Sequence, residues 1–220
     1  MEQRKPSLRR SRPRPSTNNA RHHAPVSTFT SRKRQATASP RRSPRAGMAF
    51  VAIIMGSDSD LPVLEKTMDI LDQLQIRWEA KVSSIHRTPA DVKAYVEDAE
   101  ARGCLVFICA SGLAAHLAGC VAGLTCKPVI GIPVDAGPLR GVDALHSTVM
   151  MPGGIPVACV AIGSAGAINA AYLAGQILAT ADKELAARIV ADRAATAEAV
   201  RGKDRGLQER LAARRSAFRR

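Results

Sequence analysis

Aromatic side chains are scarce in this chain, only 3% of 220 residues. That argues against a surface on which bases stack, since such surfaces interleave exposed rings with basic residues. Long apolar runs are also missing. Gly, Pro or a charge breaks each one well before the ~20 residues that cross a bilayer, so no membrane segment is expected. The five cysteines, Cys104, Cys109, Cys120, Cys126 and Cys159, form no Cys-x-x-Cys pair and fall mostly inside apolar runs. They read as reduced, buried thiols of a cytoplasmic protein. No His/Cys/Asp cluster has metal-ligand spacing, so no metal is expected. The absence of a Walker loop and of G-x-G-x-x-G speaks against nucleoside triphosphates and dinucleotides. No Ser or Cys occupies a nucleophile elbow.

Acidic residues are missing from one end. Residues 1–47 hold thirteen Lys/Arg and one acid, Glu2, and so carry +12 of the formal net +13. Residues 48–200 carry eleven basic and sixteen acidic side chains, a net of −5, and residues 201–220 carry eight and two, a net of +6. The central part therefore has no electrostatic footprint for a polyanion, and no nucleic-acid partner is expected for it. The first 47 residues, rich in Arg, Ser, Pro and Thr, have too few apolar positions to offset the entropy of ordering. They read as a disordered extension: a transit peptide, a polyanion-binding arm, or sequence upstream of the true start. Met48-Ala49-Phe50 directly before the first strand favours the last.

The expected organisation is thus a basic extension over 1–47, one catalytic domain over 48–200 and a basic helical tail over 201–220. Within the domain, apolar runs at 50–55, 104–110, 129–133 and 157–162 predict strands, and a second strand is expected at about 77–82. Helical spacing predicts helices over 61–75, from Thr88 to before Gly103, over 113–124, 142–148 and 165–180, and beyond 182. Thr88 is read as a helix cap, with Pro89 in the first turn. Near-continuous apolar strands alternating with helices predict an α/β fold, a parallel sheet covered on both faces. The helix over 165–180 is small or apolar nearly all round, which predicts burial, in part against another subunit.

Three strand-to-helix corners carry the chemistry. Gly56-Ser57-Asp58-Ser59-Asp60 offers hydroxyls, amides and carboxylates suited to a phosphorylated ribose, although Ser and Asp are equally the residues of an ordinary turn and helix cap. Ser84-Ile85-His86-Arg87-Thr88-Pro89 pairs a proton-exchanging imidazole with a guanidinium that clamps phosphate. Ser111-Gly112-Leu113-Ala114-Ala115-His116-Leu117 places a second histidine at a helix mouth. Such corners share the carboxyl edge of a parallel sheet, where open α/β folds bind ligands. His146 and the pair His22-His23 receive no role.

These motifs, with Gly141-Val142-Asp143-Ala144-Leu145 and Met151-Pro152-Gly153-Gly154-Ile155-Pro156-Val157, stand in the order and spacing of the N5-carboxyaminoimidazole ribonucleotide mutase family (PurE, class I). The chain resembles that family from about residue 49 to 199. The resemblance implies a homo-octamer of flavodoxin-like three-layer subunits, sites at subunit junctions, and no metal or organic cofactor. It implies an isomerase of purine biosynthesis whose substrate is an aminoimidazole ribonucleotide derivative. By motif position, Ser57, Asp60 and Arg87 hold the ribose phosphate and His86 is the acid/base. Ser84, the Ser111-Gly112 backbone and His116 line the pocket for base and carbon dioxide. Ile85, Ser111, Ala118, Met150 and Ser164 stand where the family more often has other residues. The carboxylase branch of the family, a non-catalytic nucleotide sensor and an RNA binder acting through the extension remain the competing readings.

Overall fold

The computed structural model describes residues 49–218, and the expectations for residues 1–47 lie outside them. Five strands, β1 (Phe50–Met55), β2 (Trp78–Val82), β3 (Cys104–Gly112), β4 (Val129–Val134) and β5 (Ala158–Cys159), form one sheet in the order β2-β1-β3-β4-β5. Every pairing is parallel. This is the doubly wound flavodoxin-like order, with its switch point between β1 and β3.

Period-two alternation along the strands sends side chains to two cores. Val51, Ile53, Met55, Ile108 and Ile132 pack on one face with Leu64 and Leu71 of α1 (Leu61–Gln73) and Ala167 and Ala171 of α5 (Gly163–Ala179). Phe50, Ala52, Ile54 and Phe107 pack on the other with Val92 and Val96 of α2 (Pro89–Arg102) and Val121 of α3 (Leu117–Leu124). The short α4 (Val142–Val149) lies beside β4 and β5. The three-layer α/β expectation is therefore met, with α5 buried along its Gly166, Ala170, Ala174 face.

Several boundaries differ from the sequence reading, each for a physical reason. The third helix begins at Leu117 rather than at 113, because Leu113 adopts φ 55° and breaks the helical path. Strand β5 is limited to Ala158–Cys159: it is an edge strand, and past Cys159 the chain turns to present the Val160 carbonyl to the Asn169 amide. Thr88 does not cap α2 through its side chain. The helix after residue 182 is one uninterrupted element, α6 (Lys183–Ala217), which runs through residue 200 without a break. Of the cysteines, Cys104 and Cys109 are buried as expected, but Cys120 and Cys126 are exposed. Burial pushes the Cys104 thiol up to about 11, consistent with an inert packing role.

Candidate active site

At the carboxyl ends of β1, β2 and β3, Gly56, Ser57, Asp60, Ser84, His86, Arg87, Ser111 and Gly112 line one cavity of about 480 Å³. It straddles the topological switch point, where strand order reverses and no helix covers the strand ends. Seven of the eight residues singled out from sequence reach its wall. The eighth, His116, stands behind His86, its Nδ1 2.9 Å from His86 Nε2, with the two rings edge to face.

The histidine corner is held by its own hydrogen bonds. Thr88 Oγ1 donates to the Ser84 carbonyl and accepts from the Ser84 amide, both at 3.1 Å. The Thr88 amide donates to the same carbonyl at 2.7 Å, and the Arg87 amide donates to Ser84 Oγ at 3.3 Å. The hydroxyl expected to cap α2 therefore closes the 84–88 turn instead. This fixes the direction in which His86 and Arg87 leave the backbone. Among the described residues no carboxylate pairs with Arg87, so its guanidinium is not neutralised by the protein.

At the first corner the exposed amides expected to receive phosphate are partly occupied. The Ser57 amide donates to Asp60 Oδ2 and the Ser59 amide to Ser57 Oγ, each at 3.3 Å, as a capping box around a short turn at Asp58–Asp60. Asp60 is buried. Desolvation raises its carboxyl above the ordinary value, with Asp58 adding to the rise, while the Ser57 amide opposes it. A buried carboxylate beside an open cavity is suited to a ligand's hydroxyl groups, whose donors relieve its desolvation.

Residues missed in sequence form the apolar side of the cavity: Leu113, Ala114, Leu117 and Ala136, which join Ile85. Ala136 follows β4 and reaches the site only through tertiary folding, and no local pattern signals it. Its approach depends on Gly112, where an added Cβ would lie 2.5 Å from the Ala136 Cβ. Gly112→Ala is accordingly expected to push the loop after β4 outward and lower kcat/KM about tenfold, since small misplacements are costly in catalysis. Steady-state kinetics and a crystal structure of the variant check it; unchanged kinetics would show that the Ala136 wall does not shape the site.

A histidine pair sharing one hydrogen bond, an arginine with no carboxylate partner among the described residues, four serines (Ser57, Ser59, Ser84 and Ser111) and a buried carboxylate meet at this cavity. Among the described residues, no group of three or more His, Cys, Asp or Glu is placed to hold a metal ion. No helix among them is long and apolar enough to cross a membrane.

The chain is 50% identical over 140 residues to N5-carboxyaminoimidazole ribonucleotide mutase of Bacillus subtilis (strain 168), covering 64% of this chain and 86% of that protein. It is 49% identical over 147 residues to the protein of the same name from Escherichia coli (strain K12), covering 67% and 87%. The crystal structure of Treponema denticola PurE superposes with a TM-score of 0.65 at 30% identity, over 71% of this chain and 96% of that one. The family model described as AIR carboxylase matches residues 50–199, the span that contains all five strands and every wall of the cavity, and this chain belongs to that family.

Proposed function

We propose that the protein is the isomerase that converts N5-carboxyaminoimidazole ribonucleotide to 4-carboxy-5-aminoimidazole ribonucleotide in de novo purine biosynthesis. The convergence of His86, backed by His116, with Ser57, Asp60 and Arg87 around one cavity carries this reading. The identity to proteins named as mutases supports the choice of substrate.

In this scheme Arg87 and the Ser57 hydroxyl take the ribose phosphate, and Asp60 accepts from sugar hydroxyls. Ser84, Ser111, Gly112 and His116 bound the region of the imidazole base. The substrate's N-carboxylate is a carbamate, which releases carbon dioxide once its nitrogen is protonated. His86 donates that proton. Carbon dioxide is held against Ile85, Leu113, Ala114 and Leu117, where confinement gives it a high effective concentration. Ring carbon 4 then attacks the carbon of carbon dioxide, and His86 removes the proton from carbon 4 as the ring regains aromaticity. One proton is given and one is recovered, so a single imidazole returns to its starting state. Its bond to His116 suits this cycle: one of the two facing nitrogens donates and the other accepts, which orients the ring whichever form it is in.

The match over residues 50–199 supports the reading of 48–200 as the catalytic domain, with 1–47 as an extension outside it. We also assign the enzyme to the cytoplasm as a homo-octamer with sites at subunit junctions. Exposed Leu139, Val142, Val149 and Met150, along α4 and its flanks, form an apolar strip that suits a subunit contact.

Isotope placed on the carbamate carbon tests the reaction. With excess unlabelled bicarbonate, carbonic anhydrase and a control for spontaneous decay, the product should retain the label. Complete dilution would assign the protein to the carboxylase course suggested by the family model's description. Tight ribonucleotide binding without product would identify a sensor.

A further inference from the structure

We propose that the Ser111 side chain reads a sugar hydroxyl in a subsite over Gly56, where it acts together with Asp60 and selects a ribose over its deoxy counterpart. The inference rests on the ribonucleotide reading above, in which Ser111 only bounds the region of the base. Of the four serines that line the cavity, three have hydroxyl partners within the protein. Ser57 Oγ donates to Asp58 Oδ1 at 3.2 Å, the Ser59 hydroxyl donates to Ser57 Oγ at 2.9 Å, and Ser84 Oγ accepts from the Arg87 amide at 3.3 Å. The Ser111 hydroxyl has no partner among the described residues. Asp60, across the crevice, also has capacity to spare. Its Oδ2 accepts from the Ser57 amide at 3.3 Å, whereas a buried carboxylate offers about four lone-pair sites.

A glycine brings the two side chains to one space. The Gly56 amide donates to the Ala110 carbonyl at 3.2 Å, which holds the end of β1 against the end of β3 beside Ser111. A Cβ added at Gly56 would lie 3.5 Å from Ser111 Oγ, 3.9 Å from Asp60 Oδ2 and 4.0 Å from the Ala110 carbonyl oxygen. The space above Gly56 is therefore open, and an atom placed in it approaches both side chains at once.

The chemistry of the pair identifies that atom. An ionised carboxylate only accepts, whereas a serine hydroxyl also donates. Together they complement a hydroxyl group, which gives its proton to Asp60 and receives one from Ser111. A methylene satisfies neither, and it would leave the buried carboxylate without the donor that offsets its desolvation. A phosphate would bring charge of the same sign against Asp60. That group stays with Arg87, which has no carboxylate partner among the described residues. Ser111 is also one of the positions where this chain departs from the more frequent family pattern, so the donor belongs to this chain.

Titration calorimetry with the product ribonucleotide and its 2′-deoxy and 3′-deoxy analogues tests the subsite without requiring turnover. Wild type should bind one of the two analogues about tenfold or more weakly than the ribonucleotide, which identifies the hydroxyl that is read. Ser111→Ala should weaken the ribonucleotide about three- to tenfold and leave that analogue nearly unchanged, so that discrimination shrinks by the same factor. Gly56→Ala provides a second route. Its methyl group lies at ordinary contact distance from its neighbours, so the fold tolerates it, yet it occupies the subsite and should weaken the ribonucleotide more than the analogue. Equal losses for all ligands in Ser111→Ala would place the residue against the base and overturn the proposal, as would no loss at all. Discrimination of this kind in a protein that makes no product removes the isomerase reading and keeps the subsite. Absence of ribonucleotide binding removes both.

Discussion

His86→Asn is expected to lower kcat by about 10³-fold or more, because general acid–base transfer by a positioned group contributes on that scale and the proposed scheme gives this residue two transfers. Asparagine retains the size and polarity of the side chain. Its shorter amide stops short of the position from which His86 Nε2 meets His116, and it cannot exchange a proton at neutral pH. Ribonucleotide affinity should therefore remain near that of wild type, since Arg87, Ser57 and Asp60 are untouched. Titration calorimetry with the product and steady-state kinetics separate the two quantities. Near-normal turnover in this variant would move the acid/base role to His116, 2.9 Å away.

Arg87→Ala is expected to act in the opposite way, raising KM and the product dissociation constant before kcat. A hydrogen bond to a charged group contributes about 1.5–3 kcal/mol, which corresponds to a loss of roughly 10- to 150-fold in affinity. The absence of a carboxylate partner for Arg87 among the described residues is what makes the guanidinium available. Arg87→Lys should recover only part of the loss, because an ammonium keeps the charge but not the two-pronged geometry. The wild-type affinity should fall with ionic strength more steeply than that of Arg87→Ala. Equal salt dependence in both would remove Arg87 from the phosphate site.

Much of this arrangement was legible in the chain because its signals are local. Continuous apolar runs marked β1, β3 and β4, whose residues are buried on both faces of the sheet. Pro89 and Gly103 marked the two ends of α2, and Gly103 takes φ 105° where a side chain would be strained. The candidate corners were visible because polar residues with unlike chemistry followed predicted strands. What stayed hidden is set by tertiary structure. The left-handed Leu113 delays α3, although the small residues around it have helical spacing. Thr88 looks like a helix cap in sequence, and only the fold shows that its hydroxyl is taken by Ser84. Ala136 and the apolar wall depend on how closely the loop after β4 approaches Gly112.

The self-contained 84–88 turn separates what this enzyme does from what it accepts. The backbone that carries His86 and Arg87 is held by bonds among Ser83, Ser84, Arg87 and Thr88, so its path does not depend on Ile85, Ser111 or Leu113. Ser111 and Leu113 are partly or largely exposed and belong to neither core, and Ile85 packs only at the margin of one. Exchanges there reshape the space around a ligand while the reacting groups keep their places. Evolution along such a lineage can retune ligand fit in small steps, each nearly neutral for folding, without first dismantling the chemistry.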